Sequence, residues 1–196
     1  MNPTAPRCIV LGGINGAGKT TSARTILAET LRVMTFVNAD VIAQGIAGFD
    51  PASANVAASR IMLERLHELA AQRADFAFET TMSGRLTANW LGTLRDSGYS
   101  VQQHYFWLES ADLAIARVAH RVSRGGHHVP DETVRRRYRQ SIQNFIQLYR
   151  PVSSKWQVYD NSQPNLPRLI ACGDDSGLET VLDQDSWSKL QKENVP

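Results

Sequence analysis

With 196 residues, 42% of them apolar, the chain is long enough to close one sizeable core and too short for a multi-domain machine. Charged residues at 20% and aromatics at 8% exclude a disordered acidic or basic chain, and nothing repeats at the period of roughly 20–50 residues that marks a solenoid. The 21 lysines and arginines against 19 acids leave a net charge of +2, too small to draw the chain onto nucleic acid or an anionic membrane by bulk field.

Any electrostatic function is therefore local, and the basic residues are uneven: seven arginines fall between Arg117 and Arg139, against two acids, Asp131 and Glu132. Cys8 and Cys172 each lie in a short apolar run, which argues for reduced, buried thiols rather than a disulfide framework. Met1 to Arg7 lacks the apolar centre of a secretory signal, and no stretch approaches the roughly 20 apolar residues of a membrane span. A cytoplasmic location is expected.

In chain order, Arg7 to Leu11 reads as a strand stopped by Gly12-Gly13, and residues 18–30 have helical composition. Thr35 to Asn38 is a second strand, followed by a small-residue region from Ala39 to Ala54. A helix from about Ser53 to Gln72 carries an apolar stripe of Val56, Ile61, Leu63, Leu66 and Leu69. Phe76 to Glu79 is a third strand; Arg85 to Asp96 is helical, with Leu86, Trp90, Leu91 and Leu94 at helical spacing and Gly98 as the stop. A fourth strand, Val101 to Leu108, leads to helices at Ala111–Arg124 and Asp131–Tyr149, separated by the turn Gly125–Pro130. Strands at Gln157–Asp160 and Leu169–Cys172 and a polar helix at about 178–192 complete the pattern.

Alternating strands and helices predict parallel βαβ units covered on both faces: a three-layer α/β/α fold with a mainly parallel central sheet, in a single domain over residues 1–196. The segment Gly13-Ile14-Asn15-Gly16-Ala17-Gly18-Lys19-Thr20 matches G-x-x-x-x-G-K-[ST] between a strand and a helix. Such a loop turns backbone N–H groups inward onto phosphates. Gly13, Asn15, Gly16, Ala17, Gly18, Lys19, Thr20 and Thr21 are the expected nucleotide-binding residues, with Lys19 reaching the β and γ phosphates and Thr20 holding Mg²⁺.

Asp40 stands at the end of the second strand, where a carboxylate can take the proton of an acceptor hydroxyl; capping of a helix starting at Val41 is the plainer alternative. Glu79 ends the third strand beside the loop, with Thr81 nearby, and Arg85 opens the next helix. Thr81 or Ser83 can equally serve as a helix cap. Arg117, Arg121 and Arg124 form one stripe opposite Ala114, Ile115, Val118 and Val122, and the glycine turn that follows permits a lid about 117–137. On the next helix, Val134, Tyr138, Ile142, Phe145 and Tyr149 share a face, so Arg136 points away while Arg135, Arg137 and Arg139 flank it. His127 and His128 have neither cysteines nor a spaced acid beside them, so a metal site is not expected there. Trp90, Trp107 and Trp156 read most simply as core, though an aromatic near a strand end can stack on a base.

Taken together, the phosphate loop with Asn38-Ala39-Asp40-Val41-Ile42-Ala43, Phe78-Glu79-Thr80-Thr81-Met82-Ser83-Gly84, the arginine-bearing lid and Val158-Tyr159-Asp160-Asn161-Ser162 resembles the zeta toxins and related P-loop kinases over roughly residues 7–162. The resemblance implies transfer of the γ-phosphoryl group of ATP or GTP to the 3′-hydroxyl of the sugar in UDP-N-acetylglucosamine, with Mg²⁺, and an antitoxin protein as partner. It implies Lys19 and Thr20 on nucleotide and Mg²⁺, Asp40 as base, and Glu79 and Thr81 on the sugar nucleotide. The family's two lid arginines fall on Arg121 or Arg124 and on one of Arg135 to Arg137. The catalytic set is then Lys19, Asp40, Arg121, Arg124 and Arg137, with Asp40, Glu79, Thr81 and Arg85 facing the acceptor. A kinase for another metabolite, nucleoside or antibiotic would use the same residues with a different pocket between Gly45 and Arg60; a nucleotide-dependent switch protein is the competing class. A nucleic-acid 5′-kinase is disfavoured by the near-neutral charge.

Overall fold

β1 (Arg7–Gly12) is buried from Cys8 onward, as a continuous apolar run covered on both faces must be. It sits between β3 (Phe76–Thr80) and β4 (Ser100–Trp107), paired in parallel with each. β2 (Phe36–Val37) adds beyond β3, and β5 (Lys155–Asp160) beyond β4, both parallel. β6 (Arg168–Asp174) and the short β7 (Glu179–Val181) then run antiparallel, giving the order β2-β3-β1-β4-β5-β6-β7. This computed structural model describes residues 5–193 except Phe49, His127 and Asn165.

Helices flank both faces in the expected three-layer α/β/α arrangement, and the sheet is mainly parallel. α1 (Lys19–Ala23) continues as a wider π-helical stretch, Arg24–Leu31, that ends on Arg32 in the left-handed conformation. α2 (Ala39–Ile46), α3 (Asn55–Ala71) and α4 (Leu86–Asp96) follow. α5 (Ala111–Val122) and α6 (Asp131–Asn144) come next, α6 extended by a π-helical turn Phe145–Tyr149, and α7 (Gln184–Lys192) closes the order. On one face Tyr105 stacks on Phe145 at 4.3 Å and Trp156 on Trp187 at 5.8 Å, which seats the end of α6 and α7 on β4 and β5. None of the described helices is long and apolar enough to cross a membrane.

Several expectations are corrected. The region after β2 is helical at once, because Asn38 caps α2. α3 buries Ala58, Met62, Leu66 and Leu69, whereas Val56, Ile61 and Leu63 are exposed; small Ala58 and flexible Met62 lie on the packed stripe, which counting only branched side chains overlooks. Leu86 is exposed at the start of α4. The C-terminal helix begins at Gln184, not near 178, since Glu179–Val181 pairs with β6 as an edge strand.

Candidate active site

The parallel strands β1 and β3 end together, and the crevice beyond their carboxyl ends is where this class of sheet binds ligands. Two glycines let the loop after β1 turn there. Gly13 has φ +130° and an added Cβ would meet the Phe106 carbonyl at 2.3 Å; Gly18 has φ +84° and its Cβ would strike Asn161 Nδ2, also at 2.3 Å. The space at Gly18 is used: Asn161 Nδ2 donates to the Ala17 carbonyl at 2.8 Å, bracing the loop from the end of β5. Arg117 donates to the Ser162 carbonyl at 3.0 Å, so this arginine of the α5 stripe ties the same region together rather than facing the crevice.

Lys19 is buried, with Nζ donating to the Ile14 carbonyl at 3.0 Å and lying 3.6 Å from Glu79 Oε1. Burial pulls its pKa below the usual lysine value, opposed by the charges of Glu79 and Asp40 and reinforced by Arg121. Thr20 Oγ1 donates to Glu79 Oε2 at 2.7 Å, and Asn38 Nδ2 donates to the same oxygen at 3.0 Å. One carboxylate at the end of β3 thus gathers α1 and the start of α2. Asn38 also caps α2, its Oδ1 accepting from the N–H groups of Asp40 at 2.8 Å and Val41 at 3.3 Å. The cap is therefore Asn38 and not Asp40, whose exposed carboxylate in the first turn faces a cavity instead. Asn38 was legible only as the residue before a helix start of the Asn-x-Asp type.

That cavity, about 820 Å³, lies between α2, α3 and α4 at the end of β3. Lys19, Asp40, Glu79, Thr81, Arg85 and Arg137 all line it, so six of the eight residues expected to act on the phosphate or the acceptor share one cavity, and Arg121 and Arg124 are not among its lining. The loop after β3 is fixed by the α6 side of the molecule: Asn144 Nδ2 donates to the Met82 carbonyl and the Tyr149 hydroxyl to the Gly84 carbonyl, each at 2.8 Å. Thr81 Oγ1 shares a 2.8 Å hydrogen bond with Ser83 Oγ and caps no helix; Arg85 holds the N-cap position of α4. Met62, Leu66 and Phe78 supply apolar wall, and so does Trp90, which is only partly buried and not simply core.

The arginines separate clearly. Arg137 is half-buried and donates to Asn15 Oδ1 in the phosphate loop at 3.0 Å. Burial lowers its pKa, helped by Arg136 and opposed by Asp40, yet a guanidinium stays charged under all ordinary conditions. Arg135 instead pairs with Asp112 of α5 at 2.6 Å on an exposed surface, and Arg136 and Arg139 are exposed. Arg121 is partly buried within electrostatic reach of Lys19. Arg124 is not brought to the cavity: α5 ends at Val122, so the helical angle that aligned Arg124 with Arg121 no longer applies, and its side chain is exposed. Thr21 is exposed on α1. His127 lies outside the described residues, and His128 is exposed.

The AAA domain family model matches residues 8–144. An uncharacterised protein of Haemophilus influenzae is 28% identical over 132 residues, which is 67% of this chain and 92% of that protein. Among solved structures, the AvrRxo1-ORF1:-ORF2 complex with ATP superposes with a TM-score of 0.77 at 15% identity, covering 100% of this chain and 66% of that one. A chain of the PezAT chromosomal toxin-antitoxin system of Streptococcus pneumoniae gives 0.63 at 16% identity over 99% of this chain and 88% of that one. A gluconokinase from Sinorhizobium meliloti gives 0.53 at 16%, covering 82% and 85%. At such identities these likenesses establish the fold, and this chain spans 66% of the matched chain of the AvrRxo1-ORF1:-ORF2 complex.

Proposed function

The chain belongs to the AAA domain family, and from the site built on that domain we propose that it is a kinase for a small-molecule hydroxyl, transferring the γ-phosphoryl group of ATP or GTP. The observation that carries this reading is the shared space: Lys19 of the phosphate loop and the exposed Asp40 line one cavity, which has room for an organic acceptor. A gluconokinase among the structures of similar fold supports it.

In this mechanism the phosphate loop N–H groups and Lys19 hold the nucleotide phosphates, and Arg137, anchored on Asn15, neutralises charge on the transferring group. Arg121 adds positive potential near Lys19. The acceptor oxygen forms a bond to the γ-phosphorus as the bond to the β–γ bridging oxygen breaks; the hydroxyl proton passes to Asp40, and the nucleoside diphosphate leaves. The Thr20 hydroxyl beside the Glu79 carboxylate is a hard oxygen donor pair that suits Mg²⁺. Bound there, Mg²⁺ would neutralise the β and γ oxygens. Thr81 and Arg85 hold the acceptor. The whole of residues 1–196 acts as one domain in this reading, with Val129 carried to the site by the segment between α5 and α6 and Arg137 by α6 itself.

The zeta-toxin resemblance makes UDP-N-acetylglucosamine, or a related sugar nucleotide, the first acceptor to test, an antitoxin the partner to seek, and the cytoplasm the place of action. The experiment is ADP release from Mg²⁺-ATP with and without UDP-N-acetylglucosamine, followed by mass analysis of the acceptor. The expected result is a gain of one phosphoryl group, lost in Asp40→Asn while nucleotide affinity stays within about threefold. Substantial transfer by Asp40→Asn would remove Asp40 from the base role.

A further inference from the structure

The N–H groups of a phosphate loop face its ligand, so its carbonyls face away and need partners of their own. The Ile14 carbonyl accepts from the Ala17 N–H at 3.1 Å and from Lys19 Nζ at 3.0 Å, both from the loop itself. The Ala17 carbonyl is held from outside, by Asn161 Nδ2 at 2.8 Å. In a planar trans peptide the carbonyl and the following N–H point in opposite directions, so whatever fixes the Ala17 carbonyl also fixes the direction of the Gly18 N–H. Gly18, at φ +84°, lacks the restriction that a Cβ would impose, and the hold on Ala17 supplies one from a residue 144 positions away.

Asn161 is itself held. Its N–H donates to the Trp107 carbonyl at 2.9 Å, and the residues on either side of it are joined through one carboxylate oxygen. Asp160 Oδ1 accepts from the Ser162 N–H at 2.9 Å and from the Ser162 hydroxyl at 2.5 Å, closing a turn with Asn161 at its centre. Ser162 Oγ accepts in turn from the Glu109 N–H at 2.9 Å. The other oxygen, Asp160 Oδ2, accepts from Arg168 at 3.1 Å, and Arg168 also pairs with Asp183, the N-cap of α7. The Asp160 side chain is 11% exposed, has both oxygens engaged and is not part of the cavity wall. The family match ends at residue 144, so this bracing comes from β5, β6 and α7 beyond it.

We propose that Asp160 is a positioning residue for phosphate binding: it closes the turn that sets Asn161, and Asn161, through the Ala17 carbonyl, aims the Gly18 N–H at the nucleotide phosphates. Left to itself, a loop with positive φ at Gly13, Gly16 and Gly18 would spread its N–H groups over many directions, and ordering it on binding would cost affinity. The segment beyond residue 144 is then part of the nucleotide site. This deepens the kinase reading at its phosphate end, but it requires only that the loop bind phosphates.

The test is displacement of a fluorescent ATP analogue from the full chain in Mg²⁺, by ATP and by inorganic tripolyphosphate, which has neither base nor sugar, with thermal unfolding recorded alongside. Asn161→Ala and Asp160→Ala should each weaken tripolyphosphate by about 10-fold, and the double variant by no more than either alone, because both act along one path. Asp160→Asn, whose side-chain oxygen still accepts from Ser162, should stay within about threefold of the unaltered chain. Should Asp160→Ala not fold, Ser162→Ala removes one hydrogen bond to Asp160 and keeps the ion pair with Arg168; its expected loss is about threefold, again not additive with Asn161→Ala. A merely structural Asp160 would lower the melting temperature and leave the tripolyphosphate affinity of the folded variant unchanged, which overturns the proposal. So do losses that multiply in the double variant, Asp160→Asn as weak as Asp160→Ala, or failure of tripolyphosphate to displace the analogue from the unaltered chain. A loss confined to ATP overturns it too, since it would put the segment on the base. The expected coupling with no phosphoryl transfer to any acceptor would leave the positioning role standing and remove the kinase reading. Transfer with the coupling absent would do the reverse.

Discussion

The two ends of the cavity are built by different physics. At the phosphate loop polar side chains are tied down by hydrogen bonds: Thr20 and Asn38 to Glu79, Arg137 to Asn15, Asn161 to the Ala17 carbonyl. Between α3 and α4 the wall is mixed: Met62, Leu66, Phe78 and Trp90 give it apolar surface, and Asn55, Ser59, His67, Thr87 and Arg85 set polar groups among them. A hydrogen-bonded end fixes atoms to within tenths of an ångström and suits a phosphate chain shared by all nucleotides. A mixed wall selects by shape and by which polar groups of a ligand find partners, and in the proposed kinase it is where the acceptor would be distinguished. Substitutions at the first end should therefore act on turnover and nucleotide binding, and those at the second on acceptor KM.

The sharpest way to break this contrast is Lys19→Ala. Removing the buried ammonium leaves Glu79 without its cation, and ADP release should fall by about 10²–10³-fold or more, with nucleotide binding lost in a fluorescent-nucleotide titration. Retained turnover would mean that the loop does not hold the reacting phosphate. Arg137→Ala comes next, with an expected loss of about 10²-fold in kcat and a smaller change in acceptor KM. A large KM effect with kcat intact would move Arg137 from the phosphate end to the acceptor end. The smallest effect is expected one residue away: Arg136→Ala, exposed and turned from the cavity, should change kcat/KM by no more than about twofold in the same assay. Comparable losses at both positions would show that α6 is rotated in the working enzyme.

How much of this was legible in the sequence divides along the same line. The phosphate loop, Asp40, Glu79 and Thr81 could be named from local order, because each sits at a strand end or in a turn whose geometry the neighbouring residues dictate. The acceptor wall could not. Met62 and Ala58 lie on the buried stripe of α3 that periodicity assigned to Val56, Ile61 and Leu63, and Trp90 looked like core until α3 placed His67 against it. Arg124 could not be placed for a related reason: it lies just past Val122, where α5 ends, and its side chain is exposed.

The sequence by itself determined the strand, loop and helix that cradle a phosphate, the alternation that forces a parallel sheet, and the carboxylates that end its strands, since all three follow from contacts within a few residues. Only the tertiary structure decided which arginine meets the loop, which asparagines brace the site, and which side chains wall the cavity. Arg137 and Asn15 are 122 positions apart, and Asn161 and Ala17 are 144 apart. Pairings at that range are set by how helices pack on the sheet, and no local pattern encodes them.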